Sequence, residues 1–145
     1  MKRKSLKVVL FLLIFTLTLS PVAVAAEAGV DASDYIDMYS ASIAKTGTSS
    51  VKVNFYIGGT GKMDEIGATS IYLYESNGSG WNLVNTYTYV QPANTHLMAS
   101  NTGSHSSSVT YAGTSGKQYY ATIYLWAGKN GSGDSRSKTT SAITA

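Results

Sequence analysis

Val51-Lys52-Val53-Asn54-Phe55-Tyr56-Ile57 sets Val51, Val53, Phe55 and Ile57 on one side of an extended chain and Lys52, Asn54 and Tyr56 on the other. Strand side chains alternate between two faces, so a period of two reads as a half-buried strand. The same pattern recurs downstream, where Tyr119, Ala121, Ile123, Leu125 and Ala127 alternate with Tyr120, Thr122, Tyr124 and Trp126. Working outward from these two runs gives seven strands, over about residues 34–44, 50–58, 69–76, 81–90, 105–111, 118–127 and 135–144, with no useful helical stripe between them.

The breaks have local causes. Asn77-Gly78-Ser79-Gly80 and Asn130-Gly131-Ser132-Gly133 offer positive-φ positions for hairpins, Thr46-Gly47-Thr48 joins the first pair, and Gly113-Thr114-Ser115-Gly116 links the fifth and sixth strands. That turn role accounts for the two glycosylation sequons at Asn77 and Asn130. The longest irregular segment runs from Gln91 to Ser104 and contains Pro92, Asn94, Asn101 and Gly103; a second runs from Gly58 to Gly67. Long loops are often functional, so both are candidate regions. Seven short strands with regular turns predict an all-β fold, a single antiparallel β-sandwich over 34–145.

The first 26 residues read differently. Lys2, Arg3, Lys4 and Lys7 surround the start of an apolar run from Val8 to Leu19, interrupted by Thr16 and Thr18 and followed by Ser20-Pro21 and the small residues Ala23-Val24-Ala25-Ala26. About 12 apolar residues fall short of the roughly 20 that cross a bilayer, and the layout is that of a secretory signal peptide cleaved near Ala25-Ala26-Glu27. Residues 27–33 read as a flexible leader. The expected location is extracellular, with no membrane segment in the mature form.

Export recasts the charge. The chain carries 11 Lys and Arg against 8 Asp and Glu, but four of the bases lie in the signal, which holds no acid. The mature domain is then near neutral, and a nucleic-acid partner loses its main support. Glu27, Asp31, Asp34 and Asp37 make its start acidic, while Lys129, Arg136 and Lys138 make its end basic. Such runs serve as solvated faces or as pairing between terminal strands. The chain has no cysteine, so neither a disulfide nor a lipid-modified cysteine is expected. Release, or retention through the folded surface, follows.

Gly116-Lys117-Gln118-Tyr119, the alternation after it and the glycine-rich loop at 128–133 resemble the late strands of fibronectin type III domains over about 30 residues. The resemblance implies an immunoglobulin/fibronectin III-like sandwich in which Tyr119 makes the corner hydrogen bond to the preceding loop. No Trp stands at the early-strand position usual there. The mature segment is also similar to a family of small uncharacterised secreted proteins of Gram-positive bacteria, a domain of unknown function. The residues carrying that similarity are Met63-Asp64-Glu65-Ile66-Gly67-Ala68, the Tyr-Glu-Ser-Asn-Gly-Ser-Gly-Trp run at 74–81 and Gly133-Asp134-Ser135-Arg136. It implies a location and a fold, and no catalytic or binding residue.

No catalytic pattern is present. No serine sits in a Gly-x-Ser-x-Gly elbow, thiol chemistry lacks its cysteine, and Gly61-Lys62 lacks the remainder of a phosphate loop. His96 and His105 are nine apart and have no partner at zinc-ligand spacing, so they read as loop and edge-strand residues. Asp64-Glu65 is the most site-like acidic pair. Calcium needs six to eight oxygen ligands, which carboxylates, carbonyls and waters of a flexible loop supply. The pair is a weak calcium candidate, and an exposed turn or loop-capping carboxylate is the simpler role.

The aromatic pattern is richer. With Ile71, Leu73, Ala121, Ile123 and Leu125 in the core, Tyr72, Tyr74, Tyr120, Tyr124 and Trp126 face outward on strands that a fibronectin-like order makes neighbours. Rings with polar tips suit sugar rings or a protein surface. Tyr and Trp also favour strands for packing alone, so both roles stand at this stage. The expectation is a secreted, noncatalytic binding or interaction module without a cofactor, whose partner is a cell-wall or extracellular glycan or a protein. The alternative is a bacteriocin-like antagonist or an inhibitor acting through its loops. A third reading is self-association through strand edges.

Overall fold

The computed structural model describes residues 33–145; the expected signal peptide and the expected leader up to residue 32 lie outside the described residues. The elements are β1 (Ile36–Lys45), β2 (Ser50–Ser76), β3 (Trp81–Thr88), a 3-10 helix (Pro92–Leu97), β4 (Met98–Ala112), β5 (Gln118–Lys129), β6 (Ser132–Thr139) and β7 (Ile143–Thr144). The protein is all-β, and its seven strands form one antiparallel sheet curled into a half-barrel.

The seven strands differ from those the sequence predicts. The expected second and third are one strand, β2, running through the glycine-rich stretch at 58–67, and the expected last strand divides into β6 and β7. The glycines of β2 mark a bend rather than a loop. Against β4, Gly58 pairs with Ser104 but Met63 pairs with Thr102, so β2 carries extra residues at that point. Such a bulge bends a strand and increases its twist. Met63 folds back into the core there, and its Cγ lies 2.9 Å from where a Cβ on Gly59 would stand.

The bend moves β2 between neighbours. Its first half lies between β1 and β4, pairing Val53 with Ile43 and with Val109. Its second half lies between β3 and β5, pairing Ile71 with Tyr87 and with Ile123. β6 continues the sheet beyond β5, with Trp126 opposite Ser135.

Segment 91–104 is likewise ordered backbone and not a long loop. Pro92 opens the 3-10 helix, where its missing N–H costs nothing. The Gln91 side-chain oxygen accepts from the Thr88 N–H at 3.2 Å and from the Asn94 amide at 2.6 Å. Leu97 closes the helix wholly buried, and β4 begins at Met98. Gly67 admits this crossing, because a Cβ there would overlap the Leu97 carbonyl oxygen and lie 2.7 Å from the Met98 Cα.

The core is the concave side of the sheet. Val51, Val53, Phe55 and Ile57 are buried as their alternation predicts, and Tyr119, Ala121, Ile123, Leu125 and Ala127 have no exposed surface. Tyr119 carries a polar group inside. Its hydroxyl accepts the Thr114 N–H at 2.7 Å and donates to the Glu75 carboxylate. Burial, and then the Glu75 carboxylate, push its pKa above the ordinary tyrosine value. Both lone ends of a buried phenol are therefore used, which is the condition for keeping it there.

The described chain starts on a second polar anchor. The Ser33 hydroxyl donates to Asp134 at 2.6 Å and accepts the Ile36 N–H at 2.7 Å. That hydroxyl bond, helped by the Tyr35 and Asp34 backbone N–H groups and Arg136, holds the half-buried Asp134 carboxyl below its usual range.

Candidate functional site

A sheet whose inner face is fully used leaves its outer face to be explained. On the β3–β2–β5–β6 half, registry fixes which residues share that outer face. Tyr74 pairs with Tyr120 and with Leu83, Tyr72 with Thr122 and Thr86, Ser70 with Tyr124, and Ser76 with Trp81. On the far side, Thr122, Tyr124 and Trp126 pair with Thr139, Ser137 and Ser135 of β6. Residues opposite one another across a ladder point the same way. All five aromatic residues predicted to face outward therefore lie on one surface, and Trp81 joins them from β3.

The rings touch in series. Trp81 meets the Tyr120 ring edge-on with centroids 4.7 Å apart, Tyr120 stacks on Tyr74 at 4.8 Å and 11°, and Tyr72 meets Tyr124 edge-on at 5.6 Å. These spacings are those of favourable aromatic pairs. Trp126 is seated differently, over two glycines: a Cβ on Gly128 or Gly133 would come within 2.9 or 2.5 Å of its ring. Gly128 and Gly133, which read from sequence as plain turn residues, are thus the bed of the indole. Trp81 is 40 % exposed and Tyr124 45 %, while the other four rings are half-buried.

Chemically the face is neutral. Between Trp81 and Trp126 it presents rings, Leu83, Gln118 and the hydroxyls of Ser and Thr, and no acid or base. Among the described residues, none hydrogen-bonds the hydroxyls of Tyr72, Tyr74, Tyr120 and Tyr124 or the indole N–H groups of Trp81 and Trp126. Shallow grooves lie beside the rings and at the Trp126 end. One of about 420 Å³ has Tyr120 and Thr122 with Trp81 and Thr139 around it; the other, of about 410 Å³, holds Trp126, Glu65, Lys129 and Ser132.

Trp81 escaped the sequence reading because of a bulge. Strict alternation over 81–90 would put Trp81 and Leu83 on the side of Tyr87 and Tyr89. The register shifts at Leu73/Tyr74, where Asn85 and Leu83 become consecutive partners, so Tyr87 packs on the core while Trp81 and Leu83 turn outward. A bulge of one residue leaves no mark in composition.

Asp64 and Glu65 stand at the edge of the second groove. Asp64 accepts the Asn130 N–H at 2.7 Å. It so fastens the β5–β6 turn, where Asn130 and Gly131 both have positive φ. This is the loop-capping role. Among the described residues, no three His, Asp or Glu side chains gather as a metal-binding group. His96 and His105 instead donate to backbone, His105 Nε2 to the His96 carbonyl at 2.8 Å and His96 Nε2 to the Ser108 carbonyl at 3.1 Å. No helix among the described residues is long and apolar enough to cross a membrane. No protein-family model matches this chain, and comparison with curated proteins gives no match.

Proposed function

We propose that this protein is an exported, noncatalytic binding module that engages an extracellular or cell-wall partner through the aromatic face of β2, β3 and β5. The observation that carries the reading is the set of six rings on one neutral surface with all of their polar tips unpaired among the described residues. A Tyr or Trp ring buries much area at little entropic cost and keeps a hydrogen-bonding group at its edge, which suits recognition. Strand packing explains the ring contacts, and the polar tips, open to solvent, stay available to a ligand.

Within this proposal the first 26 residues direct export, and the domain is an immunoglobulin/fibronectin III-like sandwich of the Gram-positive secreted family named above. The Tyr119 bond to Thr114, in the loop before its own strand, supports the fibronectin-like element. Segment 91–104, on which an inhibitory loop would depend, is folded against the core by Leu97 and offers no such support.

The test is a pull-down of purified domain on peptidoglycan and on insoluble polysaccharides, comparing wild type with Trp126→Ala and Tyr124→Ala. Loss of retention in variants that remain folded is the expected result. Equal retention of wild type and variants removes the aromatic face from the function.

A further inference from the structure

The layout of the rings narrows the partner. Ser76 and Gln118 are joined by a bond from the Gln118 N–H to the Ser76 hydroxyl, so Trp81, opposite Ser76, stands level with the start of β5. Trp126 stands eight residues further along β5. At about 3.4 Å per residue the aromatic line is roughly 27 Å long. Tyr74 and Tyr120, then Tyr72, then Tyr124 occupy successive levels between its ends. This is a track and not a patch.

Three features select among ligands for a track. Its floor is uncharged from Trp81 to Tyr124, and at the Trp126 end the two carboxylates Asp64 and Glu65 outnumber Lys129, so an anionic polymer gains nothing from it beyond what any surface offers. Hydroxyls of Ser135, Ser137 and Thr139 run beside the rings on β6, a strand with no ring of its own, and Thr122 of β5 faces Thr139. The surface is open beyond Trp81, where Ser76, Gly80 and Gln118 line a shallow depression, and at Trp126, so a chain can continue past both ends. Protein interfaces differ: they gather aromatic anchors at the centre of a patch and surround them with charged, polar residues.

We propose that the face binds the interior of an uncharged polysaccharide chain laid along β5, with Trp81 and Trp126 as the outermost stacking platforms. This rests on the aromatic face being the binding surface. Each sugar ring offers apolar C–H faces to the aromatics, and its hydroxyls meet the unpaired phenol, indole and Ser/Thr groups. Affinity then depends on chain length, because one or two sugar rings cover a fraction of the track. It depends little on salt, because no charge is neutralised.

Affinity electrophoresis of the folded domain tests this, in gels containing a soluble neutral glucan, a neutral xylan or mannan, or an anionic polymer such as teichoic acid. Retardation by at least one neutral polymer is expected, unchanged between about 0.05 and 0.5 M salt. Its disaccharide should compete poorly, and Trp81→Ala and Trp126→Ala should each weaken binding about tenfold. Trp81→Phe and Trp126→Phe keep a ring and should retain most of the affinity, which separates stacking from misfolding. Retardation only by the anionic polymer, salt-sensitive yet lost in the Trp variants, overturns the neutral-chain proposal and leaves the aromatic face as the binding surface. So does capture of a purified protein partner lost in the same variants, with no neutral polymer bound. Retardation that both Trp→Ala variants keep in full overturns the proposal and the binding face together.

Discussion

β2 contributes to two outer faces of the same sheet, and they differ. Over 51–57 it shows solvent Lys52, Asn54 and Tyr56, beside Ser40 and Ser42 of β1 and Ser106 and Ser108 of β4. Over 70–76 it shows Tyr72 and Tyr74, beside Tyr120 and Tyr124. The inner sides match: Val51, Ile57, Ile71 and Leu73 are all wholly buried. One half of the strand therefore holds its place with a single ring, Tyr56, among polar residues outside. Sheet formation does not demand a row of rings in the other half, which is the contrast the proposed ligand-binding role accounts for.

Substitutions on the two sides of β5 should separate these roles most sharply. Ile123→Ala removes a wholly buried side chain and should cost about 2–5 kcal/mol in urea denaturation. Tyr124→Ala, one residue away on the outer face, should cost under about 1 kcal/mol, because it forfeits only cross-strand contact. Comparable losses at both positions would erase the distinction.

Tyr119→Phe is next. It strips the Thr114 N–H and the Glu75 carboxylate of a buried partner, at about 1–3 kcal/mol. The pKa of Tyr119 is raised by folding, so its contribution is complete at pH values where the unfolded tyrosine is still protonated and is lost as pH rises through the higher folded value. Wild type should lose stability in the alkaline range, and the Phe variant should lose less over that same range. Identical alkaline slopes would exclude Tyr119 as the titrating group.

Gly133→Ala acts where the aromatic face meets the β5–β6 hairpin. Its Cβ would press on the Trp126 ring and on the Ala127 carbonyl, so the domain should fold with the indole displaced and with weaker polysaccharide retention. Tyr56→Ala, on the polar half, should leave retention unchanged. The smallest effect is at the start of the described chain. Asp134 has a depressed pKa, so the Ser33 anchor is intact above the ordinary aspartate value and is lost as pH falls through the lower folded one. The Tyr35 amide, which donates to Asp134, should report that titration by NMR and fall silent in Asp134→Asn.

Alternation made much of this readable. The inward sets of β2 and β5 and the outward set from Tyr72 to Trp126 follow from period two, because residues sharing a face are fixed once a strand is extended. What alternation misses is where a strand bends. The glycines at 58–67 look like a loop, yet they carry β2 from one set of neighbours to the other. Leu97 looked like part of an irregular segment, because a six-residue 3-10 helix is too short to show a period. Trp81 was hidden by the bulge in β3. Each miss is a long-range pairing decision, made by a partner strand far away in sequence.

The central claim is that the six rings exist for a ligand and not for the sheet. The most direct measurement pairs thermal unfolding with affinity electrophoresis in a neutral polysaccharide, for Trp81→Ser/Tyr124→Ser/Trp126→Ser against wild type. The account predicts a folded, cooperatively melting variant that migrates as though the polysaccharide were absent. A variant that fails to fold, or one that folds and is retarded as strongly as wild type, would contradict it.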